Sequence, residues 1–429
     1  MKNLITILAL AGIVSFAHAQ NHWISLDRPT TRNLNRVVFL DTLNGWVAGD
    51  SGTILKTTNG GGSWSSQNTG IYNELVDLFM VNDSVGWALA LLFPDTTFRY
   101  GTIILNTTNG GTTWTNWLYR DHFFFTIRFI DLLNGWMGGD QGLILRTTNG
   151  GADWFPAQVD SSLFSWFPIY NIKFMTRQVG YALGGHQDIA GVVWKTTNGG
   201  LRWSAQGVAA EPLRGIHYID TLKALAVGGD FDFGAGMVTT KDAGRTWEYT
   251  YLGFFGDARA LAFRTPREGY APLGFIGMYI VTTDTGRTWS LYYSPDSSAV
   301  YDVVFVDSLH GFMVGVEGTL LKYNTGIVGV DEEHAGAPVV STLYQNYPNP
   351  FNPTTTIRYS LPSSVGTLHV TSLRVYDVLG QELATLVNEV KQPGTYTVQW
   401  DAGSAASGVY FCRLRVGSFT ETRKLILLR

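Results

Sequence analysis

Residues 45–64 read Gly-Trp-Val-Ala-Gly-Asp-Ser-Gly-Thr-Ile-Leu-Lys-Thr-Thr-Asn-Gly-Gly-Gly-Ser-Trp, and this stretch decides the fold. Two short strand-like runs are followed by a glycine-rich turn and by a tryptophan that opens the next strand. The turn pattern, Thr-x-Asn/Asp-x-Gly-x-x-Trp, recurs with steps of 50, 40, 49, 44 and 42 residues. It ends at Trp64, Trp114, Trp154, Trp203, Trp247 and Trp289. A period of roughly forty residues that contains several strands is typical of the blades of a β-propeller.

Each repeat begins with alternating apolar residues, which predict a strand that packs one face on its neighbour. Aligned repeats place seven residues in one buried column: Val37, Leu78, Ile127, Ile172, Ile216, Leu261 and Val303. The sequence therefore predicts an all-β fold, with a seven-bladed β-propeller over residues 20–326 and four strands (A to D) in each blade. The seventh repeat stops after its third strand. We predict that residues 22–28, which include Trp23, supply the missing strand and close the ring.

The recurring turn has a local explanation. Its Asn or Asp can accept backbone N–H bonds, and the glycine two residues later permits a positive φ angle. The tryptophan that follows is expected to pack between blades. We therefore interpret these turns as folding devices and not as sites of chemistry.

The bulk composition excludes one class of partner. The chain has 429 residues, a net charge of -4 and 15% charged residues. An average soluble protein has about 25%. No large basic surface is expected, so the sequence predicts no nucleic-acid partner.

The first 19 residues have the features of a signal peptide. Lys2 precedes an apolar run over residues 4–16, and Ala17-His18-Ala19 forms a cleavage pattern. The run is too short to span a bilayer, and no later segment is long and apolar enough to do so. The sequence predicts an exported protein without a membrane span.

Loop length varies mainly on one face of the predicted ring. Strand order places the B–C loops and the D–A connections on the same side, which we call the loop-rich face. Long loops on a rigid scaffold commonly carry function, and exposed aromatic clusters mark contacts with sugars or proteins. The aromatic candidates for binding a protein or glycan are Trp117, Tyr119, Phe123, Phe164, Trp166, Phe231 and Phe233. The alternative is that the long loops bury one another's rings.

Basic residues form a second set of candidates along the predicted channel. One strand-A column carries Arg128, Lys173 and His217 in consecutive blades, and Arg214 and Arg259 share a register nearer the loop-rich face. Together they predict a basic arc suited to a carboxylate or to an acidic protein loop. The alternative is internal pairing with Asp77, Asp257 or Asp302.

The repeats also carry a family resemblance. Over residues 22–326, the pattern Gly-Trp-x-x-Gly-x-x-Gly-x-Ile-Leu-x-Thr-Thr-Asn-Gly-Gly-x-x-Trp closely resembles the photosystem II stability/assembly factor propellers. The turn itself resembles the Asp-box of sialidases. The first resemblance implies a seven-bladed, non-enzymatic protein that holds partner proteins during assembly. It does not identify the partner of this chain.

The repeat pattern does not continue into the C-terminal part of the sequence. Residues 327–342 are predicted to be a linker, and the short strand patterns that follow predict a small Ig-like β-sandwich over residues 343–429. This tail resembles the C-terminal sorting domain of the type IX secretion system through four motifs, at residues 347–351, 375–382, 394–400 and 407–410. The resemblance implies passage through the periplasm and outer membrane, then release or attachment at the cell surface. A plain Ig-like adhesion module remains the alternative.

The known patterns of enzyme chemistry are missing from the sequence. There is no Cys-x-x-Cys, His-Glu-x-x-His or phosphate-binding glycine loop, so we predict no enzyme activity, no cofactor and no metal. The nearest approach to a metal loop, residues 230–234, is interpreted as a polar loop.

A sialidase-like glycoside hydrolase is the alternative function. It would use Arg128, Arg214 and Arg259 on a substrate carboxylate, with Tyr170 and Glu211 as the reacting groups. The Phe-Arg-Ile-Pro type of motif that opens sialidase propellers is missing. The channel column also mixes Arg, Lys and His where a bidentate clamp requires Arg.

Overall fold

Strands account for nearly all regular structure in the computed structural model of the chain. The structure describes residues 22–94, 96, 98–275, 277–324, 342–344, 346, 349, 351–361, 369–378, 380–391, 394–417 and 419–428. The predicted signal peptide, residues 1–19, and all of the predicted linker except Thr342 lie outside the described residues. The chain divides after residue 328 into two compact units, and each is described by itself.

Seven four-stranded antiparallel sheets make up the described part of the first unit, which confirms the predicted number of blades. Strands A to D of blade 1 are Leu34–Phe39, Gly45–Gly49, Ile54–Thr57 and Ser65–Gln67. Those of blade 2 are Leu75–Met80, Gly86–Leu92, Gly101–Thr107 and Thr115–Arg120. Those of blade 3 are Phe124–Phe129, Gly135–Gly139, Ile144–Thr147 and Phe155–Pro156. Those of blades 4 and 5 are Ile169–Phe174, Gly180–His186, Ala190–Thr196 and Arg202–Ala209; Leu213–Tyr218, Ala224–Asp230, Gly234–Thr240 and Glu248–Tyr251. Those of blades 6 and 7 are Ala262–Phe263, Gly269–Pro272, Met278–Thr282 and Ser290–Tyr293; Val300–Phe305, Gly311–Gly315, Leu320–Tyr323 and Trp23–Ser25.

A few short elements are added to the seven blades. Gln158–Val159 adds a fifth, parallel strand to the outer edge of blade 4. The described 3-10 turns are Asp50–Gly52, Asp140–Gly142, Leu163–Trp166 and Val316–Gly318.

The N-terminal strand closes the ring, as the sequence predicted. Trp23 pairs with Tyr323, so the outermost strand of blade 7 comes from the opposite end of the propeller sequence. The Trp23 side chain is only 2% exposed. Its ring lies edge-on to Tyr270 and Tyr323, with centroid distances of 5.7 and 5.4 Å. A blade edge that would otherwise recruit other strands is thereby paired and covered.

The six recurring turns share one hydrogen-bond network. In blade 1 the Thr57 hydroxyl donates to Asn59 Oδ1 (2.9 Å) and accepts the N–H of Gly61 (3.0 Å). Asn59 Oδ1 also accepts the N–H of Ser63 (2.9 Å). Equivalent bonds recur in blades 2 to 6. The Thr hydroxyl and the Asn or Asp side-chain oxygen of each turn are therefore satisfied within the turn, as a folding device requires.

Adjacent blades interlock through these turns. The large strand-B side chain of one blade packs on the turn glycine of the next: Trp87 on Gly151, Trp136 on Gly200, Tyr181 on Gly244, Leu225 on Gly286 and Phe312 on Gly61. In blade 1, Trp46 Nε1 donates instead to the carbonyl of Gly110 (3.3 Å). Glycine is required here because a methyl group would enter the neighbouring ring and because φ is positive.

Blade 6 departs from the pattern at its inner strand. Strand A is only two residues long there, although Arg259 still donates its N–H to the carbonyl of Pro272 (3.0 Å). Pro272 ends strand B and has no N–H, so it cannot donate a ladder hydrogen bond. The predicted column residue Leu261 consequently lies just outside the assigned strand.

The second unit contains two sheets around one core. One sheet is formed by Thr342–Leu343, Thr354–Leu361 and Gly394–Asp401, and the other by Glu382–Lys391, His369–Tyr376, Gly408–Val416 and Phe419–Leu427. Ile357 and Tyr359 of the first sheet share a buried cluster with Leu373 and Cys412 of the second. Burial raises the pKa of the Cys412 thiol to about 12, which keeps it protonated and unreactive at neutral pH.

The blade interlock can be tested with Gly151→Ala. A methyl group at Gly151 would lie 2.5 Å from Trp87 Cη2, at a position where φ is 82°. We expect the free energy of unfolding to fall by about 1–3 kcal/mol more than in the control Gly253→Ala. Gly253 also has a positive φ, of 78°, but its methyl would meet no atom within 4 Å. Urea unfolding measures the difference, and equal losses in the two variants would contradict the interlock.

Candidate functional site

The inner strands deliver polar side chains to the central channel through repeated β-bulges. Strand A shows a register shift near its start in blades 1 to 5 and in blade 7. A bulge re-aims the side chains that follow it. The residue after the bulge is Arg36 in blade 1, Asp77 in blade 2 and Asp302 in blade 7, and all three line the channel.

Two connected recesses result. The channel holds a cavity of about 410 Å³ whose charged lining residues are Arg36, Asp77, Arg128, Lys173, Arg259 and Asp302. A smaller recess of about 210 Å³ is lined by residues from the starts of the inner strands, and we call it the channel mouth. The channel mouth is lined by Asn35, Arg36, Glu74, Val76, Phe125, Tyr170, Arg214, Arg259 and Tyr301. The antiparallel strand order places it on the loop-rich face.

Arg128 is held inside the channel by an ion pair. Its Nη1 lies 2.6 Å from Oδ2 of Asp77, a carboxylate that is fully buried. Arg36, which was not predicted from the sequence, lies 3.1 Å from the other oxygen of Asp77. The alternation that identified the Arg128 column would have found Arg36, because Arg36 lies two residues before Val38 on the same strand face. The expected internal pairing therefore describes Arg128.

Arg214 and Arg259 share one buried carboxylate at the channel mouth. Arg214 Nε lies 2.8 Å from Asp257 Oδ2, and Arg259 Nε lies 3.8 Å from the same atom. Burial raises the pKa of Asp257, although both guanidiniums oppose that shift. Arg214 also stacks on Tyr170 (4.3 Å), and Arg259 on Tyr301 (4.8 Å). Because its distance to Asp257 is longer, Arg259 interacts more weakly with this carboxylate than Arg214 does.

Burial lowers the pKa of both Lys173 and His217. Burial and the nearby Arg128 lower the pKa of Lys173, whose Nζ donates to the carbonyl of Ile216 (3.2 Å). Burial and Lys173 lower the pKa of His217 to about 4. The His217 ring stacks on Phe263 with a centroid distance of 3.8 Å. His217 is therefore a neutral packing residue at pH 7.

The aromatic candidates fall into two groups. Trp117 lies edge-on to Trp87 of its own blade (5.8 Å), whereas Tyr119 lies edge-on to Phe124 of blade 3 (5.2 Å). Phe123 lies between Phe93 and Tyr100. Phe123 is therefore packed against rings of a neighbouring loop, whereas Trp117 remains 38% exposed.

The second aromatic group reaches solvent. Phe164, Trp166, Phe231 and Phe233 are exposed, and Trp166 keeps 70% of its surface open. Phe231 contacts Phe255 (5.9 Å) and Phe275 (5.9 Å), which are also exposed and form a three-ring patch with it. Phe275 was not predicted from the sequence because the loop that carries it is short.

Glu211, the proposed sialidase-like group, lies in a different recess from the arginines. It lines a cleft of about 580 Å³ with Asp188, Phe233, Tyr249 and Tyr251, whereas Tyr170 lines the channel mouth. The residues that the hydrolase alternative requires therefore line separate recesses.

Known proteins resemble both units. Residues 16–119 match the family described as "Photosynthesis system II assembly factor YCF48", and residues 345–428 match "Secretion system C-terminal sorting domain". The propeller is similar to Ycf48. The sequence-based resemblances to both families are confirmed, and the sorting domain indicates that the chain is exported by a secretion system. No helix in the described part of the chain has the length and hydropathy to cross a bilayer.

Individual relatives support the same comparison. "Photosystem II assembly lipoprotein Ycf48" of Picosynechococcus sp. is 24% identical over 343 residues, which cover 75% of this chain and 93% of the relative. The solved structure "YCF48 bound to D1 peptide" has a TM-score of 0.56 and 21% identity, covering 72% of this chain and 99% of that chain. A virginiamycin B lyase of Staphylococcus aureus has a TM-score of 0.54 and 11% identity, covering 70% and 98%. Because an enzyme shares the architecture at this level, the fold alone does not decide the function.

The buried His217 predicts a pH dependence of stability. An unfolded His titrates near about 6.5, whereas the pKa of folded His217 is about 4. Between these values the unfolded chain binds a proton that the folded chain excludes, so the free energy of unfolding falls as the pH falls from about 6.5 to about 4.

The variant His217→Phe should remove this part of the pH dependence. Phe79 occupies the equivalent position of blade 2, so a phenyl ring is compatible with the site. The control is His186→Gln, because His186 is exposed at the end of strand Gly180–His186. Thermal unfolding at pH 7 and pH 5 measures the effect. An unchanged pH dependence in His217→Phe would contradict the assignment.

Proposed function

We propose that this chain is a secreted or cell-surface protein whose propeller binds a protein partner through its loop-rich face and catalyses no reaction. The observation that carries the proposal is the channel mouth, where three guanidiniums meet a recess of about 210 Å³. Arg36 pairs with Asp77 in the channel, whereas Arg214 and Arg259 share the single carboxylate of Asp257, and Glu74 also lines the recess. Burial and the nearby Asp50 raise the pKa of Glu74.

This arrangement suits an anionic group of a partner. Arginine binds carboxylates in planar, bidentate geometry, and its cost of desolvation is lower than that of lysine. Arg259 is the guanidinium placed to do so, because it lies 3.8 Å from Asp257 and its side chain remains 38% exposed. The exposed patch of Phe231, Phe255 and Phe275 and the exposed Trp166 supply apolar contacts on the same face. Aromatic and arginine side chains dominate the binding energy of protein interfaces.

The comparison with a solved relative supports a peptide-like partner. In the structure "YCF48 bound to D1 peptide", a propeller of this fold is in complex with a peptide. By analogy, we propose that an acidic segment of an extracellular or outer-membrane protein binds at the channel mouth. A glycan ligand on the exposed aromatic rings and a sialidase-like reaction are the outcomes that would replace this proposal.

The proposal predicts which substitutions weaken partner capture. The full chain is used as bait for outer-membrane and culture fractions, and bound proteins are identified by mass spectrometry. Arg259→Met and Phe231→Ala should each weaken the captured complex by about 1–2 kcal/mol or more. Arg177→Met and Phe155→Ala are the matched controls, because these exposed residues lie on an A–B turn and on an outer strand. Equal losses in the controls, or hydrolysis of sialosides by the full chain, would refute the proposed function.

The route of export is a second, separable proposal. We propose that residues 343–429 direct the protein through the type IX secretion system, with release or surface attachment afterwards. A chain that ends at residue 342 should accumulate in the periplasm with its propeller folded, as measured by fractionation and limited proteolysis. Conversely, fusion of residues 343–429 to a periplasmic carrier should move the carrier to the cell surface or the medium. Surface delivery of the truncated chain would disprove this assignment.

A further inference from the structure

Three acidic side chains from separate chain segments meet on the loop-rich face between blades 4 and 5. Asp188 lies in the B–C loop of blade 4, Glu211 lies in the connection from blade 4 to blade 5, and Asp230 ends strand B of blade 5. One carboxylate oxygen of each residue lies within 4.8 Å of those of the other two.

Asp230 has a buried oxygen that lacks a partner. The residue is only 5% exposed. Its Oδ1 accepts the N–H groups of Asp232 (2.9 Å) and Phe233 (2.6 Å). Its Oδ2 is buried without a hydrogen-bond partner among the described residues. A buried carboxylate oxygen without a donor or counter-ion is costly, so this position requires a cation or a proton.

Glu211 brings a second buried carboxylate to the same place. It is also 5% exposed, and its Oε2 accepts the N–H of Asp188 (3.3 Å). Within the described ranges, no Lys, Arg or His side chain forms an ion pair with any of the three carboxylates. The protein thus gathers negative charge here without supplying a counter-charge of its own.

We propose that Asp188, Glu211 and Asp230 bind a divalent cation, with Ca²⁺ as the preferred ion. Ca²⁺ takes oxygen ligands at about 2.3–2.6 Å, so two ligands on opposite sides of the ion are at most about 5 Å apart. Mg²⁺ requires about 2.0–2.1 Å and near-octahedral geometry, which three carboxylates spread over up to 4.8 Å satisfy less well. Asp188 and Glu211 also line the cleft of about 580 Å³, from which water can complete the coordination shell.

The bound ion would order part of the loop-rich face. It would join the B–C loop of blade 4 to strand B of blade 5, whose B–C loop carries Phe231 and Phe233. Extracellular modules bind Ca²⁺ with dissociation constants of about 10⁻⁴–10⁻³ M, which suits an exported protein. The site does not depend on the proposed partner, so failure of either proposal leaves the other in place.

The first test is direct binding to the full chain after treatment with EDTA. Terbium is the probe, because Tyr249 and Tyr251 line the same cleft and should sensitise its luminescence. We expect saturable emission that Ca²⁺ displaces. Asp230→Asn should weaken Ca²⁺ binding by about tenfold or more. Asp121→Asn, which changes an exposed acid in the equivalent connection of blades 2 and 3, should leave it unchanged.

The second test uses the sign of a stability change. Glu211→Gln removes a buried charge, so in EDTA the melting temperature of this variant should equal or exceed that of the wild type. In millimolar Ca²⁺ the wild type should gain melting temperature and the variant should not. If a proton shared by the carboxylates were the only species bound, the melting temperature of Glu211→Gln would exceed that of the wild type by the same amount with and without Ca²⁺. That result, or the absence of Ca²⁺-displaceable terbium emission from the wild type, would overturn the cation site.

Discussion

The contact between a large strand-B side chain and a turn glycine of the next blade is the constraint on which the propeller depends. Trp87 on Gly151 and Trp136 on Gly200 illustrate it. Each turn is first made rigid by its own Thr and Asn hydrogen bonds, and it then receives the ring of its neighbour. Lys56, Lys195 and Lys322 reinforce the same junctions by donating to turn carbonyls across the blade boundary. The angle between blades is therefore set by short-range packing at six such junctions, and the strand of Trp23 completes blade 7.

A fixed ring determines what the channel can offer. The bulge near the start of strand A brings Arg36, Asp77 and Asp302 into the channel in blades 1, 2 and 7, where acids and bases pair with one another. Arg128 with Asp77 and Arg214 with Asp257 satisfy each other, because an isolated buried charge would be far more costly. At the channel mouth, two guanidiniums share one carboxylate, and this excess of positive charge remains available to a ligand. The same face also carries Glu211 and Asp230, for which the described residues provide no basic partner.

The repeat pattern was sufficient to predict the number of blades, the closing strand at Trp23 and the turn network, because these features depend on local spacing. The candidate site was predicted less completely. The position of Arg128 followed from strand alternation, but its pairing with Asp77 depends on the side-chain arrangement between blades. Asp188 and Asp230 come from different blades, and no spacing in the sequence relates them. The short strand A of blade 6 reflects a single Pro272 on the partner strand.

The pairing of Trp23 with Tyr323 also orders events in time. A chain that crosses a membrane from its N-terminus presents Trp23 first and Tyr323 about three hundred residues later, so the toroid cannot shut until almost the entire propeller has been translocated. Until then the leading strand stays available to chaperones and proteases. Because these two strands pair last, the polypeptide can remain unfolded during translocation, and closure of the ring is the final step of folding.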